Sequence, residues 1–106
     1  MNPLKYVDEK IISREEKIYT IIIIYDITDN KRRNRMAKFL EGYGVRVQKS
    51  AFEAHLTKRR YVAMLRRAEK IIDYETDSLR TYLLPNNTFI NSCGIEIKYP
   101  QNVIIV

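Results

Sequence analysis

Asp26 is the residue around which chemistry could be built. It is the only carboxylate in the run Ile18 to Thr28 (Ile-Tyr-Thr-Ile-Ile-Ile-Ile-Tyr-Asp-Ile-Thr) and sits near its end. Aspartate offers hard oxygen donors, the ligand type that magnesium takes. A single carboxylate makes a poor magnesium site, because the ion usually wants further ligands or a phosphate. A two-fold dimer would double it to a symmetric pair of acids. The plainer alternative is that Asp26 only organises the turn from Thr28 to Asn30. Close behind it come Arg32, Arg33, Arg35 and Lys38, with Arg46 further on, the densest basic cluster near that acid. Guanidinium forks match phosphate oxygens in geometry and charge. Most such runs are simply solvated helix faces. Here no acid interrupts Lys31 to Lys38. The charges therefore lack partners one turn away and repel one another unless something anionic neutralises them.

Other chemistries find less support. The chain contains no P-loop, no GxGxxG and no HExxH, and no serine or cysteine stands beside a credible base. Its one cysteine, Cys93, can form no intramolecular disulfide, and CxxC zinc spacing is absent. Cys93 reads as a small apolar residue. The one histidine, His55, falls in an expected strand, where a structural or surface role outweighs a catalytic one. Tyr25 and Phe52 read as core residues, with contact to a nucleic acid as the lesser alternative.

The elements that must position these side chains follow from pattern. The run Ile18 to Thr28 is β-branched and aromatic, hence a strand, and its lack of alternation suggests that both faces are covered. Asp29 or Asn30 caps a helix from about Lys31 to Tyr43, with Met36, Ala37, Phe39, Leu40 and Tyr43 as its apolar stripe. Gly42 and Gly44 can end it. Val45 to Leu56 reads as one strand whose apolar phase switches, which suggests a bulge between Gln48 and Ala51. Thr57 caps a second helix, from about Lys58 to Ile72, with Lys58, Arg59, Arg60, Arg66 and Arg67 on its exposed side. Asp77 to Leu84 alternates as a strand, Pro85-Asn86-Asn87 makes a turn, and Thr88 to Tyr99 carries a further strand interrupted by Gly94. Val103 to Val106 forms a short last strand. Ahead of all this, residues 1–17 form an extension in which Leu4, Val7, Ile11 and Ile12 fall at helical spacing.

A chain of 106 residues with 45% hydrophobic content is one globular domain, here residues 18–106. The order of elements predicts an α+β sandwich, an antiparallel sheet with two helices on one face, and a ferredoxin-like topology is the nearest common one. Helices on one face leave the other side of the first strand to be covered. A second copy of the same sheet is the simplest cover, which predicts an isologous homodimer. The net charge of +6 favours a polyanionic partner. No apolar run reaches the roughly 18 residues that span a membrane and no signal-peptide pattern is present, so no membrane partner and a cytoplasmic location are expected.

Three stretches then stand out together: Tyr25-Asp26-Ile27 with Asp29 to Arg33, Tyr43 to Glu53 (Tyr-Gly-Val-Arg-Val-Gln-Lys-Ser-Ala-Phe-Glu), and Asp77 to Leu84 (Asp-Ser-Leu-Arg-Thr-Tyr-Leu-Leu). In this order they resemble the smaller of the two universal CRISPR adaptation proteins, a family of small ferredoxin-like proteins described as metal-dependent nucleases. The resemblance runs from about Ile18 to Val106. It implies a homodimer with the two sheets face to face and Val103 to Val106 completing the partner's sheet. It also implies that the two Asp26 side chains meet near the two-fold axis and hold a magnesium or similar divalent ion, as the catalytic centre. Tyr25, Arg33, Arg35, Arg46 and Phe52 match family positions linked to nucleic-acid contact or cleavage. Further implied are an integrase partner and duplex DNA, or single-stranded RNA as a nuclease substrate. The role implied is a bridge between integrase subunits during spacer acquisition, with cleavage varying among members. A ferredoxin-like toxin endoribonuclease is the competing assignment.

Overall fold

The computed structural model describes residues 16–95. The expected helix around Leu4 to Ile12, the strand Val103 to Val106 and the end of the strand expected over Thr88 to Tyr99 lie outside them.

Six elements follow one another: β1 (Ile18–Asp26), α1 (Asn30–Leu40), β2 (Gly44–Gln48), β3 (Ala51–Thr57), α2 (Lys58–Ala68) and β4 (Ser78–Pro85). The strands form one four-stranded antiparallel sheet in the order β2-β3-β1-β4. This β-α-β-β-α-β arrangement is the ferredoxin-like fold expected from the sequence. β1 lies inside the sheet, paired with β3 from Ile18↔Thr57 to Ile24↔Ala51 and with β4 from Tyr19↔Pro85 to Asp26↔Ser78.

Side chains on a strand alternate between faces, and the alternation in β1 is real although the residue types conceal it. Ile21, Ile23, Tyr25 and, just past the strand, Ile27 are buried. They join Phe52, Ala54 and Leu56 of β3, Met36, Ala37 and Leu40 of α1, and Met64 and Ala68 of α2 in one core. Both helices thus cover the same face. The opposite face carries Ile22, Ile24 and Asp26, with Tyr82, Arg80 and Ser78 as their partners on β4. On that side Ile24 and Tyr82 are each 43% exposed. The expectation that β1 is buried on both faces therefore fails at its Asp26 end, whereas Thr20, on the same face at the other end, is buried. The isoleucines that suggested it are shared between a covered face and an open one.

Local chemistry explains where the elements start and stop. Asp29 caps α1, its Oδ2 accepting from the Arg32 backbone N–H at 2.8 Å. Thr57 caps α2 in the same way, its Oγ1 accepting from the Arg60 N–H at 3.2 Å. Such caps satisfy first-turn donors that have no partner inside the helix. Both helices end earlier than their apolar stripes suggested. Tyr43, Ile71 and Ile72 still pack on the core, but from the turns beyond.

Two strand expectations are corrected. Val45 to Leu56 is not one bulged strand but the hairpin β2–β3, reversing at Lys49-Ser50. The phase switch marks the reversal, and an irregularity in pairing lies between Arg46 and Gln48 instead. Residues 88–95 contain no strand. The turn before them forms as expected, closed by Thr88 N–H donating to Pro85 O at 3.0 Å.

Candidate nucleic-acid and metal site at the Asp26 end of the sheet

The last residue of β1, the first turn of α1 and the loop leading into β4 converge at one end of the sheet, because Asp26 pairs with Ser78. This convergence gathers Asp26, Asp29, Asp73 and Asp77, and it gives them different work. Asp29 caps α1. Asp73 shapes its own loop: Oδ1 accepts from Glu75 N–H at 2.9 Å, and its carbonyl accepts from Asp77 N–H at 2.8 Å. Asp77 is a hub. Its carboxylate accepts from Arg32 Nε (2.8 Å) and Nη2 (3.2 Å), from the backbone N–H of Thr28 (3.1 Å) and of Asp73 (2.9 Å), and from the hydroxyls of Thr28 (3.3 Å) and Thr76 (3.0 Å). The Arg32 guanidinium, helped by these backbone donors, holds the Asp77 carboxyl well below the usual carboxylate range. In return the Asp77 carboxylate raises the pKa of Arg32. Asp26 stands apart. Its side chain is exposed, and no side-chain hydrogen bond or ion pair engages it among the described residues.

The basic run divides in the same manner. Arg32 is ion-paired with Asp77, so the argument that this run lacks acidic partners does not hold for it. The partner comes from far along the chain, where a search at helical spacing cannot find it. Arg33 turns back on the β1–α1 turn: Nη1 donates to Ile27 O at 2.8 Å and Nη2 to Asn30 Oδ1 at 2.7 Å. Arg35 and Lys38 are exposed and make no such bond among the described residues. Arg46 is exposed too, with its guanidinium 5.5 Å from the centre of the Phe52 ring.

The aromatic candidates lie inside. Phe52 is 0% and Tyr25 2% exposed, and their rings stack with centroids 6.3 Å apart. Tyr25 Oη reaches the Lys49 carbonyl at 3.4 Å. In this fold both rings belong to the core. Their part in the site is to support Arg46 and the β2–β3 turn.

A shared magnesium fits half of what it needs. Asp26 supplies hard oxygens with no competing hydrogen bond, yet among the described residues no group of three or more His, Cys, Asp or Glu side chains makes a complete ligand set. One protomer alone does not make a closed site.

Two further polar features lie outside the Asp26 end. His55 is part of a covered polar group: Thr20 Oγ1 is 3.3 Å from Nδ1, and Glu53 Oε2 is 3.6 Å from Nε2. Burial pushes the His55 pKa down against the opposing pull of Glu53. On α2, Arg60 and Arg67 lie over the rings of Tyr43 and Phe39, at 5.6 and 5.3 Å. The residue that sequence reasoning missed is Asp77. It appeared there only as the first letter of an alternating strand, and nothing local marks its partners. Cys93 is exposed and has no disulfide partner. Among the described residues no helix is long and apolar enough to cross a membrane.

The family model described as CRISPR associated protein Cas2 matches residues 19–91. Among relatives, a protein of Synechocystis sp. named CRISPR-associated endoribonuclease Cas2 3 is 46% identical over 71 residues, 67% of this chain and 77% of that protein. A Chloroflexus aurantiacus protein of the same name is 40% identical over 93 residues, 84% of this chain and 99% of its own. Among solved structures, a hypothetical protein from Thermus thermophilus superposes with a TM-score of 0.68 at 34% identity, covering 78% of this chain and 99% of its own. Streptococcus pyogenes Cas2 does so with a TM-score of 0.60 at 38% identity, covering 64% of this chain and 88% of its own. Fold, motif order and these similarities agree, and the chain belongs to the Cas2 family of the CRISPR adaptation module.

Proposed function

We propose that this cytoplasmic protein acts as a homodimer that holds duplex DNA and bridges integrase subunits during spacer acquisition. The observation that carries the reading is the open sheet face. It has an exposed apolar centre in Ile24 and Tyr82 and an uncommitted acid, Asp26, at its end. A second copy laid on that face would bury the apolar pair and bring two Asp26 side chains toward one axis. Arg35, Lys38 and Arg46 supply exposed cations for the phosphate backbone, which they grip without reading sequence.

A second reading, a metal-dependent endonuclease acting on RNA or DNA, is favoured by the endoribonuclease names of the Synechocystis and Chloroflexus relatives. In that reading the paired Asp26 carboxylates would hold magnesium, which supplies Lewis-acid polarisation of a phosphodiester when bound. The chain's own work is to present the acid and to hold the backbone beside it with Arg35 and Lys38.

Asp26→Asn separates the two. The change keeps the shape and removes the charge, so metal-dependent cleavage should vanish while the fold, the dimer and DNA-dependent capture of the integrase persist. Loss of integrase capture in a folded, dimeric Asp26→Asn protein would refute bridging as an independent role. Equal cleavage by the variant and the parent would remove Asp26 from the chemistry.

A further inference from the structure

The six donors around Asp77 make a cradle of the kind that receives an oxyanion. Two backbone N–H groups, two hydroxyls and two N–H donors on one edge of a guanidinium converge on a single carboxylate whose side chain is fully covered. Arg32, by sequence a phosphate ligand, is thus occupied by the chain's own anion. The same cradle ties Thr28, two residues beyond Asp26, to the loop that enters β4. Arg33 fastens the turn from the other side through Ile27 O and Asn30.

We propose that Asp77 is a positioning residue: it withholds Arg32 from nucleic acid and fixes the turn beside Asp26, leaving phosphate contact in this run to Arg35 and Lys38. Its effect on binding rests on the DNA-holding reading above, whereas its effect on Arg32 does not. A guanidinium already neutralised by a neighbour displaces no counterion from DNA. Each new phosphate contact steepens the dependence of log affinity on log salt by about 0.9. Arg35→Ala should therefore flatten that slope by about this amount, and Arg32→Ala should leave it unchanged. Asp77→Asn should steepen it by about 0.9 by releasing Arg32, and the double variant Arg32→Ala/Asp77→Asn should return it to the parent value.

The full chain is titrated with a fluorescent duplex at a series of salt concentrations. In parallel, the Arg32 and Arg35 side-chain Nε–H resonances of the free protein are assigned and their exchange with water is compared. Slow exchange at Arg32 and fast exchange at Arg35 is expected. Equal, fast exchange overturns the clamp whether or not DNA binds, and it remains readable if Asp77→Asn fails to fold. A slope that flattens in Arg32→Ala as much as in Arg35→Ala overturns the withholding of Arg32. Slow exchange at Arg32 with no salt-dependent DNA binding by the parent protein upholds the clamp and refutes the DNA-holding function instead.

Discussion

Phe52 is where the family resemblance and the fold make opposite predictions. The resemblance links this position to nucleic-acid contact or cleavage, yet the ring is wholly buried beneath Arg46 and stacked with Tyr25. Phe52→Ala would remove a buried aromatic near the start of β3 and leave a cavity in the core beside Tyr25. Buried Phe→Ala changes cost about 3–5 kcal/mol. The lost stack with Tyr25 and the lost seat for Arg46 are already contained in that range. A domain of this size is stabilised by about 5–15 kcal/mol in total, so about a fifth of the margin or more would disappear. At about 4–8 °C per kcal/mol the midpoint of thermal unfolding should fall by at least about 12 °C. Circular dichroism against temperature reads the loss, and fluorescence anisotropy with a labelled duplex, well below the new midpoint, reads binding. Affinity there should lie close to the parent's, and Phe52→Leu should keep most of both. An unchanged midpoint combined with lost affinity would show that the ring meets the nucleic acid directly, and the burial argument would be wrong.

Two further outcomes follow from named contacts. A Cβ on Gly44 would run into the Glu53 carbonyl and come within 2.9 Å of Ala54, both backbone-anchored. Gly44→Ala should therefore cost about 1–3 kcal/mol in urea denaturation, and an unshifted midpoint would mean that the hairpin relaxes at no cost. His55, whose folded pKa lies below its ordinary 6.5, is harboured neutral. Its unfolded form takes up a proton first as the pH falls, so its contribution is complete above pH 6.5 and is lost progressively below it. His55→Gln should flatten the stability profile in that window, and an equally steep acid limb in the variant would assign the loss to another group.

The legibility of this chain in its sequence depends on the distance over which each signal acts. The helix caps Asp29 and Thr57 bond to residues three positions on, and they could be read directly. The β4 alternation was legible because its polar and apolar residues differ in type. The alternation in β1 was not, since Ile22 and Ile24 on the open face match Ile21 and Ile23 on the covered one. In sequence the β2–β3 hairpin looks like a bulge because Lys49-Ser50 carries none of the usual glycine or asparagine punctuation. At the site, Asp26 and the basic run were visible as residue types, but which cations are available was not. Arg32 and Arg33 are neighbours in sequence and alike in charge. One is taken by an acid 45 residues away and the other by a carbonyl six residues back. Arg35 is left exposed by its position on the helix rather than by its chemistry. Charge counting along a sequence therefore gives an upper limit to the phosphate contacts of such a surface. The true number is set by the acids that the fold brings alongside.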